Sequence, residues 1–313
     1  VSSGDEKGKS TYYQNDSITF TVSGETDGGL SITTKLELDG DASGGKGGDF
    51  DSQSLAIGHD TLGTVTFAAH GGDSVMGGWD DKMPTAWEEP WGAGLSTGLV
   101  TVVGTGTSMS TQYNTPTFAG TTITVASAAA IGQTDTADKG TGQTDAGIGR
   151  GYDATININP SLGTEILSGL NIFAGAHYTD IMGNNSTTEN DSMEAAGGVT
   201  YDLGPVSLGT QWSAEYTGEN SDRTVYNSYK NHAFGVAFNI SDNLSVSYGE
   251  HSSRKEGYNN TNWGMGQADR EAKVDSIQAA YTWGGASIRY AFIDAKNTGF
   301  GGSDTKAKVV SLG

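Results

Sequence analysis

The sequence contains no cysteine. That excludes a disulfide framework and any thiolate metal site. Its five histidines show no metal-binding spacing, so no metal centre is expected. Basic residues are scarce: 17 Lys and Arg stand against 37 Asp and Glu, a formal net charge of -20. Nucleic acid is therefore not expected as a partner, because phosphates are held by Lys and Arg. Charged residues of both signs make up only 17% of the chain, while glycine numbers 48 of 313 residues. That composition argues against a helix-rich enzyme. No run of about eighteen apolar residues occurs, so no transmembrane helix is expected. A membrane-crossing strand needs only about 9–11 residues, with every second one facing lipid, and hydropathy windows miss it. The polar opening at Val1 lacks a signal peptide and reads as the start of a mature or trimmed chain.

What the sequence has is alternation. Ile18, Phe20 and Val22 are interleaved with Thr19, Thr21 and Ser23. Leu30, Ile32, Leu36 and Leu38 share one face, with Lys35 and Glu37 on the other. The same two-residue period continues through Leu55 and Ile57, then Val65 and Phe67, and in some ten later segments up to the C-terminus. Connections alternate as well. Short turns such as Asp27-Gly28-Gly29 and Gly284-Gly285 take hairpin chemistry, and polar loops of about ten to twenty residues fall at the other strand ends. A soluble antiparallel sheet also alternates apolar and polar residues. It gives no reason to sort long loops to one end, whereas a membrane-spanning up-and-down barrel does.

One stretch, residues 70–107, breaks the pattern. It carries Trp79, Trp87 and Trp91, three of the six tryptophans, with the acids Asp73, Asp80, Asp81, Glu88 and Glu89 and two of the five prolines. Disordered segments are poor in aromatics. The expectation is an ordered loop folded back so that its indole rings are buried. Within it, Gly94-Leu95-Ser96-Thr97-Gly98 matches the hydrolase pattern G-x-S-x-G, but that motif needs a strand, a sharp turn and a helix around it, so no enzyme is expected. A Gly-rich segment with Asp39, Asp41, Asp49 and Asp51 could hold calcium, which takes oxygen ligands, although a plain acidic loop fits equally.

The segments Tyr12–Phe20, Thr34–Asp39 and Leu62–Phe67, the Asp80–Pro84 run of the long loop and the closing Val310-Ser311-Leu312-Gly313 together resemble the general diffusion porins of Gram-negative outer membranes. The similarity is greatest to acidic porin-like proteins of marine alphaproteobacteria and covers essentially the whole chain. The resemblance implies an all-β fold: a sixteen-stranded antiparallel transmembrane β-barrel over residues 1–313, with first and last strands trimmed and residues 70–107 as a constriction loop. It implies passive diffusion of small hydrophilic solutes and ions, outer-membrane lipids around the barrel, and a homotrimer. Alternatives are a substrate-specific channel and a barrel-anchored surface binding or adhesion protein.

By this resemblance Asp73, Asp80, Asp81, Glu88 and Glu89, with the three tryptophans, belong to the constriction. Lys35, Glu37, Asp153, Glu194, Glu215 and Arg289 are expected on the pore wall, from their places on polar strand faces. Tyr and Trp crowd the apolar faces from Tyr113 onward, as suits a lipid–water interface. They are absent from Phe20, Val22, Leu30, Ile32, Leu36, Leu38, Leu55, Ile57, Val65 and Phe67, so that wall is expected to meet other subunits. The excess of acids predicts a preference for cations.

Overall fold

The computed structural model describes residues 2–4, 10–11, 17–38, 50–68, 74–80, 82–106, 109–129, 149–160, 165–181, 191–218, 226–257 and 271–313. Asp73 and Asp81 lie outside the described residues, as do Asp39, Asp41 and Asp49. Two short segments, β1 (Ser2–Gly4) and β2 (Ser10–Thr11), precede β3 (Ile18–Glu25), β4 (Ser31–Leu38), β5 (Phe50–His59), β6 (Gly63–Ala68), β7 (Ser110–Asn114), β8 (Thr121–Ala128) and β9 (Gly149–Ile158). There follow β10 (Leu170–Ile181), β11 (Ser192–Leu203), β12 (Val206–Tyr216), β13 (Tyr226–Ser241), β14 (Leu244–Gly257), β15 (Glu271–Trp283), β16 (Ala286–Thr298) and β17 (Ser303–Leu312). All belong to one antiparallel sheet. From β3 to β17 each strand pairs with the next in sequence; β17 also pairs with β1, and β1 with β2. None of the described helices is long and apolar enough to cross a membrane, which says nothing of crossing by strands.

Side-chain alternation gives the sheet two unlike faces. On the outer face, Ile18, Phe20, Val22, Leu55, Phe67, Ile123, Val125, Trp212 and Ile277 are exposed. Aromatic rings on that face gather near the strand ends. Tyr281 and Trp283 stack close to the β15–β16 turn, with centroids 5.8 Å apart. The Tyr113 hydroxyl donates to the carbonyl of Leu62 in the β5–β6 turn (2.8 Å). Tyr152 and Tyr178 face one another across β9 and β10, near the long-loop ends. The inner face carries Asp153, His177, Gln211, Ser247, His251 and Gln278, and the long loop lies against it.

Strand boundaries differ from the sequence expectation where polar residues continue the ladder. Residues 252–270 and 294–304 read as loops, yet β14 runs to Gly257, β16 to Thr298, and β17 begins at Ser303. Charge pairing on the outer face explains these extensions. Lys273 binds Glu250 (2.7 Å), and Lys296 and Lys306 both reach Asp294. Such residues serve where strands project past the hydrocarbon, and their alternation is charged instead of apolar. β13, at 16 residues, exceeds the ~9–11 that spanning requires. The long connection between β9 and β10 holds a single helical turn, Glu165–Ser168.

Candidate functional site

Residues 74–106 are seated on the inner face, and three groups of contacts hold them. The first is a buried carboxylate on β9. Oδ2 of Asp153 accepts from the Ser74 hydroxyl (2.9 Å), the Met76 N–H (2.9 Å), and the hydroxyl and N–H of Thr105 (3.2 and 3.4 Å). Both roots of the loop therefore end on one oxygen. The other oxygen faces His177 Nδ1 at 2.6 Å, and His177 Nε2 faces the Thr179 hydroxyl at 2.7 Å. An ionised carboxylate only accepts, so the Nδ1 proton points at Asp153. Beside this hub, Glu194 on β11 accepts from the N–H groups of Val103 and Gly104, both at 2.8 Å. The Thr179–His177–Asp153 order matches that of a hydrolytic triad. Thr179 is only 2% exposed, however, and a nucleophile must be reachable by its substrate. The relay orients Asp153; it does not attack.

The second group is apolar. Trp79 is buried with Met76, Met83, Val102 and Phe173, its ring 4.8 Å from that of Phe173. Lys82 lies over the Trp79 ring at 5.4 Å. Trp87 and Trp91, with Leu95 and Leu99, pack against Val274, Ile293 and Val309 of β15 to β17. The expectation that the indole rings are buried holds fully for Trp79 and in part for the other two, which are half-buried.

The third group is amide bonding along the middle of the loop. Gln211 donates to the carbonyl of Trp79. Gln278 on β15 accepts from Glu88 N–H (2.9 Å) and donates to the Glu88 carbonyl (2.6 Å). Ser247 accepts from Ala86 N–H (2.9 Å). Farther on, Gly299 in the β16–β17 turn donates to the carbonyl of Thr97 (2.8 Å).

Close seating requires glycine on the wall. A Cβ at Gly209 would stand 2.6 Å from Pro84 Cδ, one at Gly235 2.7 Å from Pro84 O, and one at Gly249 2.7 Å from Pro90 Cγ. A Cβ at Gly175 would meet Met76 Sδ at 2.8 Å. These four inward positions on β10, β12, β13 and β14 form a shallow bed that the loop fills.

The expected wall residues separate into two kinds. Lys35 is exposed on the inner face of β4, next to Glu37, which accepts from Ser52 (3.0 Å). Arg289 is half-buried near the turn end of β16. Glu194 and Glu215 sit opposite one another on β11 and β12. Asp153 does not line open space: the loop covers it to 3% exposure, and its bonds to both roots explain why. Of the loop acids, Asp80, Glu88 and Glu89 border one cleft between loop and wall. His177, Thr179, Gln211, Ser247 and Gln278 were not singled out from sequence. Their signal is faint: histidine or amide side chains on a polar strand face, which alternation alone does not distinguish from residues in water.

A strand-built sheet with an apolar outer face, aromatic rings near its edges and a loop folded onto its polar inner face defines a membrane channel with a built-in obstruction. The Gram-negative porin family model matches residues 1–313, and the chain belongs to that family. It is an outer-membrane β-barrel channel, not an enzyme. Among curated proteins none matches by sequence. Among solved structures, OmpF of Salmonella typhi, in complex with daunomycin, superposes with a TM-score of 0.65 at 13% identity, covering 99% of this chain and 94% of that one. The anion-selective porin of Comamonas acidovorans gives 0.64 at 13% identity, covering 95% and 88%. OmpT of Vibrio cholerae in its trimer form gives 0.64 at 12% identity, covering 100% and 95%.

Proposed function

We propose that the chain is a passive diffusion channel for small hydrophilic solutes and ions, with residues 70–107 as its constriction, and that it prefers cations. The reading is carried by where the loop lies. Its anchors run to β9, β11, β12, β14, β15 and the β16–β17 turn, which leaves the inner face of β3 to β8 as the open side of the passage. β2 and β3 run in the same direction, because each is an even number of antiparallel steps from β17. We read them as two pieces of one strand, which gives a closed barrel of sixteen. Closure is needed because lipid does not tolerate open strand edges. The acidity of the chain supports kinship with the porin-like proteins of marine alphaproteobacteria.

Cation preference rests on Asp80, Glu88 and Glu89 at the loop against its exposed Lys82, with Lys35 and Arg289 offsetting part of the field. Charges about 4 Å apart interact by roughly 4 kcal/mol near a protein surface, and the Debye length of ~8 Å limits the effect to groups at the narrow point. In a planar bilayer with a salt gradient, the native channel should give a cation-selective reversal potential. Glu88→Gln with Glu89→Gln should reduce it. Anion selectivity in the native channel would refute the reading. Liposome swelling graded by solute size separates passive diffusion from a substrate-specific channel, restricted to one class, and from an adhesin, which gives none.

Assembly is read as a homotrimer, as in the trimer form of OmpT. The outer face of β3 to β6 lacks Tyr and Trp, and Phe20, Val22 and Phe67 are exposed there. A cysteine in place of Leu36 should crosslink subunits in native membranes. Labelling of that position by lipid-borne reagents alone would place lipid, not protein, against this wall.

A further inference from the structure

The packing of loop on wall leaves one cleft unfilled, bordered by Asp80, Glu88, Glu89 and Trp91 of the loop and by His251 and Gln278 of the wall. About 20 Å³ of it is open to the centre of a water molecule, which suits one or two water-sized species. Three of those six side chains are carboxylates, which demand hydrogen-bond donors. His251 is 3% exposed, and its Nε2 has no hydrogen-bond partner among the described residues. Next along the same face, Asn231 and Ser253 are cross-strand partners whose side-chain oxygens are also buried and unpartnered. Buried polar atoms left unpaired are costly, so such a set points to a missing donor.

We propose that this cleft is a binding site for a small protonated amine, with ammonium as its smallest occupant. Ammonium matches water in size, carries the positive charge that the three carboxylates favour, and directs four N–H donors outward. Water supplies two donors and no charge. A bare metal ion fits less well, since no group of metal-ligating side chains is arranged for one among the described residues. Trp91 brings an aromatic ring to the same cleft, and ring faces attract cations. The proposal deepens the cation preference argued above and rests on that reading in placing the cleft beside the permeation path.

The test is a planar bilayer with potassium chloride on one side and ammonium chloride on the other. The two cations diffuse through water almost equally fast, so a pore without a site gives no reversal potential. The native channel should favour ammonium by about twofold, the scale of one screened, charge-assisted contact. His251→Phe, which fills the cleft, should return the ratio to one; His251→Leu serves if the phenylalanine variant fails to assemble. A ratio of one in the native channel would mean that the cleft holds only water and would overturn the proposal, as would a preference that survives both variants. In a potassium chloride gradient the His251 variants should keep the native cation-to-anion preference. Loss of that preference with an intact ammonium ratio would therefore count against the charge reading and not against the site.

Discussion

Valine in place of Gly235 should narrow the channel. The Cβ would stand 2.7 Å from Pro84 O and 3.0 Å from Met83 Cβ, where ordinary contacts between carbons run at about 3.5–4.0 Å. Loop and wall must therefore part by about 1 Å, before the two further methyl groups are placed. The wall is a continuous ladder at this point, with Gly235 paired to Gly209 on one side and Gly249 on the other. The loop is the partner that yields, and it yields toward the open side. Overpacking of this kind costs about 1–3 kcal/mol, too little to unfold a large sheet. The expected result is a folded channel whose single-channel conductance falls and whose swelling rates fall more steeply for large solutes than for small. Gly209→Val should act alike, because its Cβ meets the same Pro84. Gly284→Val is the control: that glycine sits in an exposed turn with nothing near its Cβ, although its φ of +53° makes the variant mildly strained. Unchanged conductance in both wall variants would show that the loop is not seated on this bed in the membrane.

Asp153→Asn should have the opposite outcome. An amide presents a donor where Ser74, Met76, Thr105 and His177 already point theirs. Removing one partner from a buried charged network costs about 3–5 kcal/mol. Each 1.4 kcal/mol is tenfold in an equilibrium, so the unseated population of the loop roots should rise by about a hundredfold or more. The conductance should become unsteady and sieving should relax, so that large solutes gain relative to small ones. The loop should also become cleavable by added protease. His177→Gln should give a weaker version, since it removes the relay but leaves the carboxylate and its four loop bonds. A quiet, native-like trace from Asp153→Asn would refute the assignment of Asp153 as the joint of the loop.

Much of this architecture is legible in the sequence, and the reason is periodicity. Ile18, Phe20 and Val22 against Thr19, Thr21 and Ser23 assign both faces of β3 without any coordinates. The tryptophans of residues 70–107 announce a loop with something to pack against. Alternation says which face a residue occupies but not what covers that face. Asp153 therefore reads as a pore-wall acid, although the loop buries it. Gly175, Gly209, Gly235 and Gly249 read as gaps in an otherwise polar pattern, although they carry the loop. Strand ends are hidden for a related reason. Above the lipid the outer positions of β14 to β17 turn to Glu250, Lys273, Asp294 and Lys306, so the apolar signal stops while the ladder continues.

The order of the chain has a consequence in time. Residues 74–106 emerge early in synthesis, but their seat is built from what comes later. Ser74 meets Asp153 across 79 positions, and Thr85 meets Gln278 across 193. Contacts so distant in sequence form slowly, since the loop between them must first be closed. Until β15 and the β16–β17 turn exist, Trp79, Trp87 and Trp91 have no complete place to go. Seating of the loop must then be among the last events of assembly. A barrel interrupted before its final hairpin would carry an unsheltered, tryptophan-bearing tether, the kind of segment that chaperones recognise.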